Sequence, residues 1–164
     1  MLRAIARYAA LTIAAMAAIV AVLSVTGKKT FRVETVTSAS PEAVWAILSD
    51  PSSYPSWHPV FVKVDGAFEE GALVKTTVRE PGKADVALTS RVVTVKPLQE
   101  IHQRLGMPVV ITSDHRWILE PEGTGTRIIQ DEIDVGLMVW FWDSDWVEPA
   151  YIMANKALGE LASK

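Results

Sequence analysis

The chain contains no cysteine. A disulfide framework, a thiolate nucleophile and a Cys-based zinc site are therefore excluded. An oxidising compartment is permitted but not demonstrated. Histidine is scarce: His58, His102 and His115 stand far apart, with no His-x-His or His-Glu-x-x-His pattern. That spacing points to no metal. No Gly-x-Ser-x-Gly elbow is present, and Gly123-Thr124-Gly125 lacks the strand-to-helix setting of a phosphate loop. No cofactor is expected. Positive charge is also short, with 16 basic residues against 19 acidic and a net charge of −3. Setting aside Arg3, Arg7, Lys28 and Lys29 leaves 12 against 19, a net of about −7 for the remainder. Phosphate binding needs a basic surface, so a nucleic-acid partner is not expected. There are no repeats and no low-complexity segment.

One absence is local. From Tyr8 to Gly27 the chain carries no charge. Twenty helical residues span about 30 Å, the thickness of a bilayer's hydrocarbon core. Arg3 and Arg7 precede the run; Lys28, Lys29 and Arg32 follow it. It is too apolar all round for the surface helix of a soluble domain. Two readings compete. A cleaved signal peptide would use Arg3 and Arg7 as its basic region, but it calls for a shorter apolar region and a small-x-small site. Ser24-Val25-Thr26 is a poor one. An uncleaved anchor is the favoured reading, with residues 1–29 as anchor and 30–164 as the domain. The bilayer partner is then met through residues 8–27. The short basic tail favours an inside N-terminus, which places the domain outside the cytoplasm. The composition is of a bacterial type, so that means the periplasm, or secretion if the segment is cleaved.

At 164 residues in all, the chain is one domain plus, at most, an appendage. Thr30 to Thr37 alternates apolar and polar with β-branched residues and predicts a first strand. Ser40 reads as an N-cap with Pro41 at the first helical position. Val44, Trp45, Ile47 and Leu48 give a short amphipathic helix ending near Asp50-Pro51. Ser49 to Pro59 follows, with prolines at 51, 55 and 59 beside Tyr54 and Trp57. Proline fixes φ and removes a donor, so this elbow is neither one helix nor one strand. Strands are then expected over 60–64, 73–79, 86–95, 100–105, 109–119 and 126–135, separated by turn signals every 8–14 residues or so: an antiparallel meander. The last segment changes period. Ala150, Met153, Ala154, Ala157, Leu158 and Leu161 fall at helical spacing, with Asp145 as a possible N-cap and Glu148 helping the helix start. One sheet with one long helix on a single face is an α+β architecture.

This order of segments resembles the START-like helix-grip superfamily, in particular its polyketide cyclase/dehydrase branch. The birch-pollen-allergen-like lipid-binding proteins share that fold. The resemblance is carried by Ala39-Ser40-Pro41-Glu42-Ala43-Val44-Trp45, then Asp50-Pro51 through Tyr54-Pro55 to Trp57-His58-Pro59. Further matches are Asp65-Gly66 with Glu70-Gly71, Arg91-Val92-Val93 with Pro97, Trp117-Ile118-Leu119-Glu120-Pro121 and Gly125-Thr126-Arg127. It covers roughly residues 31–162. The family commonly has Asn where His58 stands. The resemblance implies a curved antiparallel sheet of about seven strands around a long C-terminal helix, with two short helices after the first strand. It also implies a cavity between sheet and helix for lipids, sterols, polyketides or other apolar molecules. It fixes no catalytic set.

The residues themselves offer the site candidates. Period 2 puts Ile111, Ser113, His115, Trp117 and Leu119 on one face of their strand. That face is the more apolar and is expected to look at the cavity. His115 there would orient a ligand oxygen or serve as a general base, its ordinary pKa lying near 6.5; the bland reading is a His satisfied by its neighbours. On the last strand Thr126, Ile128, Gln130 and Glu132 share one face, and Arg127, Ile129, Asp131 and Ile133 the other. Glu132 or Asp131 would then meet His115 or Arg91. Trp57 and His58 sit at the elbow, at one rim of the cavity. Trp140, Phe141, Trp142 and Trp146 crowd a short stretch before the final helix, either closing the core or forming a cavity mouth or membrane-interface contact. Asp143 and Asp145 argue against deep insertion there. The expected ligand contacts are Trp57, His58, Arg91, Ser113, His115, Trp117, Trp140, Trp142 and Met153. Three functions stay open: membrane-anchored binding of a small hydrophobic or amphipathic ligand, a cyclase/dehydratase-type enzyme using His115 and a last-strand carboxylate, and a protein-interaction module built on the Trp140–Trp146 cluster.

Overall fold

The computed structural model describes residues 2–164. Helix α1 spans Leu2–Thr26, and strand β1 (Lys28–Thr37) follows after Gly27 alone. Helix α2 (Pro41–Leu48) has the expected cap: the Ala43 amide donates to Ser40 Oγ, and Pro41 opens the helix. The elbow is a 3-10 turn over Pro51–Ser56, capped by Asp50 through the Ser52 amide. Six strands follow: β2 (Phe61–Asp65), β3 (Leu73–Val78), β4 (Val86–Lys96), β5 (Glu100–Met107), β6 (Ile111–Glu122) and β7 (Gly125–Val135). A 3-10 turn over Leu137–Trp140 leads to helix α3 (Val147–Ala162).

The seven strands form one antiparallel sheet in the order β1-β7-β6-β5-β4-β3-β2. With the long helix, this is the α+β helix-grip architecture. Strand β6 runs past Pro121 to Glu122, further than the proline suggests. Pro121 lies opposite Thr126 in the hairpin's last pairs, where a missing donor matters little.

Helix α3 corrects two expectations. Trp146 stands at its N-cap without a side-chain hydrogen bond, so Asp145 does not cap it. Its buried face is Val147, Ala150, Tyr151, Ala154, Asn155, Leu158 and Gly159. This is one stripe at three- and four-residue spacing. Met153 lies off that stripe and is 52% exposed.

The core fills the end of the sheet near α2. There Val92, Ile101, Trp117, Leu119 and Ile128 pack against Val44, Leu48, Tyr54, Trp57, Ala154 and Leu158. Each Val, Leu and Ile among them contributes roughly 1.5–3 kcal/mol by leaving water. Trp57 and Trp117 meet edge to face at 6.0 Å. The opposite end of the sheet is built differently. It gathers the start of β1, the end of β7, the start of β6 and the end of β5: Lys28 lies opposite Val135, Val135 opposite Thr112, and Thr112 opposite Gly106. Helix α1 joins here. Gly136 takes φ +145 as the chain leaves β7, and its amide donates to Gly27 O at 3.0 Å. A Cβ on Gly27 would stand 2.2 Å from Gly136 O, so the two backbones meet where a side chain has no room.

Helix α1 is exposed from Arg3 to Val22. It is long and apolar enough to cross a membrane.

Candidate functional site

The inner face of the sheet changes character from one end to the other. Beyond the apolar core lies a belt of buried polar side chains: Ser90, Gln103, Ser113, His115, Gln130, Glu132 and Asp134 from the strands, with Tyr151 and Asn155 from α3. Beyond the belt the sheet and α3 part, and a cleft of about 640 Å³ opens. Its walls are Val86, Leu88, Leu105, Ile111, Trp142 and Trp146, with Met138 and Phe141 at the mouth. Ser113, His115, Glu132, Asp134 and Tyr151 form its floor. The volume falls within the usual range for small-molecule sites.

The belt is a built network. His115 Nε2 and Gln130 Oε1 lie 3.3 Å apart. Gln130 Nε2 donates to Asn155 Oδ1 at 2.9 Å. Asn155 Nδ2 donates to the carbonyls of Val33 and Ile128. This chain of amides locks α3 to the sheet and leaves Nε2 as the protonated nitrogen of His115. Nδ1 has no protein partner among the described residues. Burial holds the His115 ring neutral, its pKa lowered to about 4. Gln103 Nε2 donates to Ser90 Oγ at 2.7 Å and closes the belt on the other side.

The carboxyls behave in the opposite sense. Tyr151 Oη donates to Glu132. Burial nevertheless raises Glu132 above the usual carboxylate range. Burial, followed by the neighbouring Glu132 charge, pushes Asp134 up to about 8, against the Ser113 hydroxyl. Asp134 is 1% exposed, and its Oδ2 has no hydrogen-bond partner. Two like charges in this volume cannot both persist. Tyr151 favours charge on Glu132, so Asp134 keeps the proton at neutral pH. The floor therefore presents an O–H donor on β7 and an imidazole acceptor on β6. Such a pair can hydrogen-bond a carbonyl or a hydroxyl.

The residues singled out by sequence separate clearly. Ser113, His115, Glu132 and Trp142 line the cleft. Trp57 and Trp117 are core residues instead. Arg91 points outward because period 2 turns Ser90 and Val92 inward, and its Nη1 donates to Gly71 O at 2.8 Å. Asp131 is likewise on the outer face, 3.7 Å from the Arg32 guanidinium. Neither meets His115. Met153 lies on the outer side of α3, and Trp140 turns away to α1. The inner wall around His115 is polar, where sequence predicted an apolar one. Of the floor, Asp134 and Tyr151 are the residues that sequence reading missed. Asp134 continues the Gln130–Glu132 alternation by one step, and Tyr151 falls on the Val147–Ala154–Leu158 stripe.

His58 is buried behind Phe61 and does not itself line the cleft. Its Nδ1 accepts from the amides of Phe61 at 2.9 Å and Val60 at 3.3 Å, and its ring stacks on Phe61 at 3.9 Å. Nε2 is buried without a partner, and burial holds the ring neutral. An Asn Oδ1 can accept the same amides. His58→Asn is therefore expected to leave binding of an apolar probe in the cleft unchanged and to shift stability by no more than about 1 kcal/mol, from lost stacking. Thermal melts and probe titrations of the two chains check this; a large loss of binding would give His58 a site role.

Among the described residues no group of three or more His, Asp or Glu is placed to hold a metal. Residues 28–162 match the family described as polyketide cyclase / dehydrase and lipid transport. Among solved structures the chain is similar to the Zhui aromatase/cyclase from Streptomyces sp. R1128, with 18% identity over 83% of this chain and 94% of that one and a TM-score of 0.67. It is similar to a protein from Chromobacterium violaceum at 19% identity, over 82% and 97%, with a TM-score of 0.66. A norcoclaurine synthase point mutant from Thalictrum flavum matches at 15% identity, over 83% and 94%, with a TM-score of 0.59. Comparison with curated proteins gives no match. At these identities the structural likenesses speak for the fold alone.

Proposed function

The chain belongs to the polyketide cyclase / dehydrase and lipid transport family, and from that premise we propose that it is a membrane-anchored binding protein for a small amphipathic molecule. Residues 1–29 serve as the anchor and 30–164 as the binding domain. The domain stands on the extracytoplasmic side. The observation that carries the reading is the cleft of about 640 Å³, whose apolar walls close on a buried floor of Asp134, Glu132, Tyr151, Ser113 and His115. Affinity comes from burial, at about 0.8 kcal/mol per methylene. The floor sets orientation: Asp134 donates to a ligand oxygen, and His115 Nδ1 accepts from a ligand hydroxyl.

The test is to extract the full chain in detergent and identify the bound molecule by mass spectrometry. A molecule with an apolar body and an oxygen-bearing head is expected. Leu105→Trp, which fills the cleft from β5, should lower its occupancy by about tenfold or more, since a blocked site forfeits most of that burial. Repeated absence of any bound molecule from the wild-type chain would sink the reading.

A second reading rests on the same floor. An acid on β7 and a base on β6 are the two groups that proton transfer beside a carbonyl requires. Two of the similar structures are enzymes by name. Incubating the recovered molecule with the protein in deuterated water separates the two. Exchange or a mass change that is lost in His115→Ala supports an enzyme; an unchanged molecule leaves binding alone.

A further inference from the structure

The mouth of the cleft and the end of α1 lie at the same edge of the domain. Trp140 Nε1 donates to Leu23 O at 3.0 Å, which ties the 3-10 turn to the last turn of α1. The amides of Leu137 and Met138 in that turn donate to Val109 O and Val110 O, which ties it to the β5–β6 turn. Met138 also lines the cleft. Around this junction the apolar side chains point outward. Phe141 is 71% exposed, Met107 64%, Val109 59%, Trp140 55% and Met138 45%. So many large apolar groups on neighbouring turns form a patch, and such patches mark a binding partner.

The chain itself indicates that partner. Helix α1 projects from this patch, exposed from Arg3 to Val22 and uncharged from Tyr8 onward. A bilayer holding residues 8–27 would have its surface at the last turn of α1, the turn that Trp140 touches. Tryptophan favours that depth, where its ring is apolar and its N–H finds a polar partner. Lys28, Glu80, Lys83 and Asp143 around the same end suit the headgroup layer and limit burial to about 5–10 Å.

We infer that the domain sits with its cleft mouth against the bilayer that holds α1, lipid covering the patch of Met107, Val109, Met138, Trp140 and Phe141, so that a ligand passes between bilayer and cleft without crossing bulk water. This rests on the anchor reading of α1. The opposite end of the sheet, with the β4–β5 turn at Gln99, faces away from the membrane.

The cysteine-free chain makes the test direct. Phe141→Cys and Gln99→Cys, each in the full chain, are labelled with a nitrobenzoxadiazole fluorophore. The proteins are placed in vesicles of phosphatidylethanolamine and phosphatidylglycerol containing a spin-labelled lipid. The label at 141 is expected to be quenched about threefold or more relative to the label at 99, because quenching requires contact at interfacial depth. Equal quenching at both sites, or none at 141, overturns the inference while α1 remains an anchor. A chain that leaves the vesicles in alkaline carbonate shows that α1 is no anchor, and both readings then fall.

Discussion

Between about pH 6.5 and about pH 8 the wild-type domain is expected to lose roughly 2 kcal/mol of stability, and Asp134→Asn to lose none of it. In the unfolded chain an Asp side chain has released its proton by about pH 5. In the folded domain burial and the Glu132 charge keep it on Asp134 up to about 8. The native state thus binds more protons than the unfolded state across that interval, and stability must fall as pH rises through it. The decline is complete once the pH passes the folded pKa. Its lower part is masked. His115 is neutral in the fold down to about 4, whereas an unfolded His charges below about 6.5, so His115 removes stability as pH falls. Buried, neutral His58 acts in the same direction. The two effects oppose each other at acid pH and leave the clean slope above about 6.5. Lys29 stands opposite Asp134 in the sheet, but its ammonium is taken up by Trp142 O and Ser144 Oγ and does not neutralise the acid. Thermal unfolding of the full chain in detergent reads the effect. Glu132→Gln removes the like charge and should move the wild-type decline to lower pH. A wild-type melt that is flat across the window would mean that Asp134 is ionised in the fold, and that the floor is an anion rather than an acid.

Trp117→Ala is expected to cost about 3–5 kcal/mol and to lower the melting temperature by about 10–20 °C. Trp117 is 1% exposed and among the largest fully buried side chains. It meets Trp57 at 6.0 Å, His58 at 6.3 Å and His115 at 5.9 Å, each close to edge-on. No neighbour can relax into the space that it leaves, because Trp57 is held by its Nε1 bond to Ser53 Oγ and His58 by two backbone amides. The consequence extends to the site. The edge of Trp117 is one of two aromatic contacts that hold the His115 ring beside its Gln130 bond, the other being Tyr151 at 5.5 Å. Trp117→Phe keeps an aromatic in place and should recover more than half of the loss, with probe binding restored. If Trp117→Ala melts with the wild type, Trp117 does not hold the core together.

Much of the fold is legible in the sequence alone. Strand positions followed from alternation and turn residues, and Ser40-Pro41 marked the start of α2 because both act through local backbone chemistry. The site was legible in part, for a physical reason. Periodicity gives faces, so Ser113 and His115 share the inner face of β6, and either parity of β7 sets one carboxylate, Glu132 or Asp131, beside them. It does not say which polar groups are buried. Hydrophobic spacing therefore chose Met153 over Tyr151 and Asn155 on α3, although those two are buried by their bonds to Glu132, Gln130 and the sheet carbonyls. The aromatic stretch failed differently. A 3-10 turn follows neither period, so nothing local distinguished Trp142, which lines the cleft, from Trp140, which caps α1. Arg91 was a matter of parity: one step along β4 separates inside from outside.

Gly27 is the whole connection between α1 and the sheet. One residue reaches about 3.5 Å, and its carbonyl is held by Gly136. A carrier that ferries cargo between two membranes needs a tether with slack. Here there is none, so a domain anchored by α1 cannot leave its own leaflet or bow toward another. On the proposed reading its exchange of ligand is confined to one membrane face, and onward transfer requires a second protein to come to it.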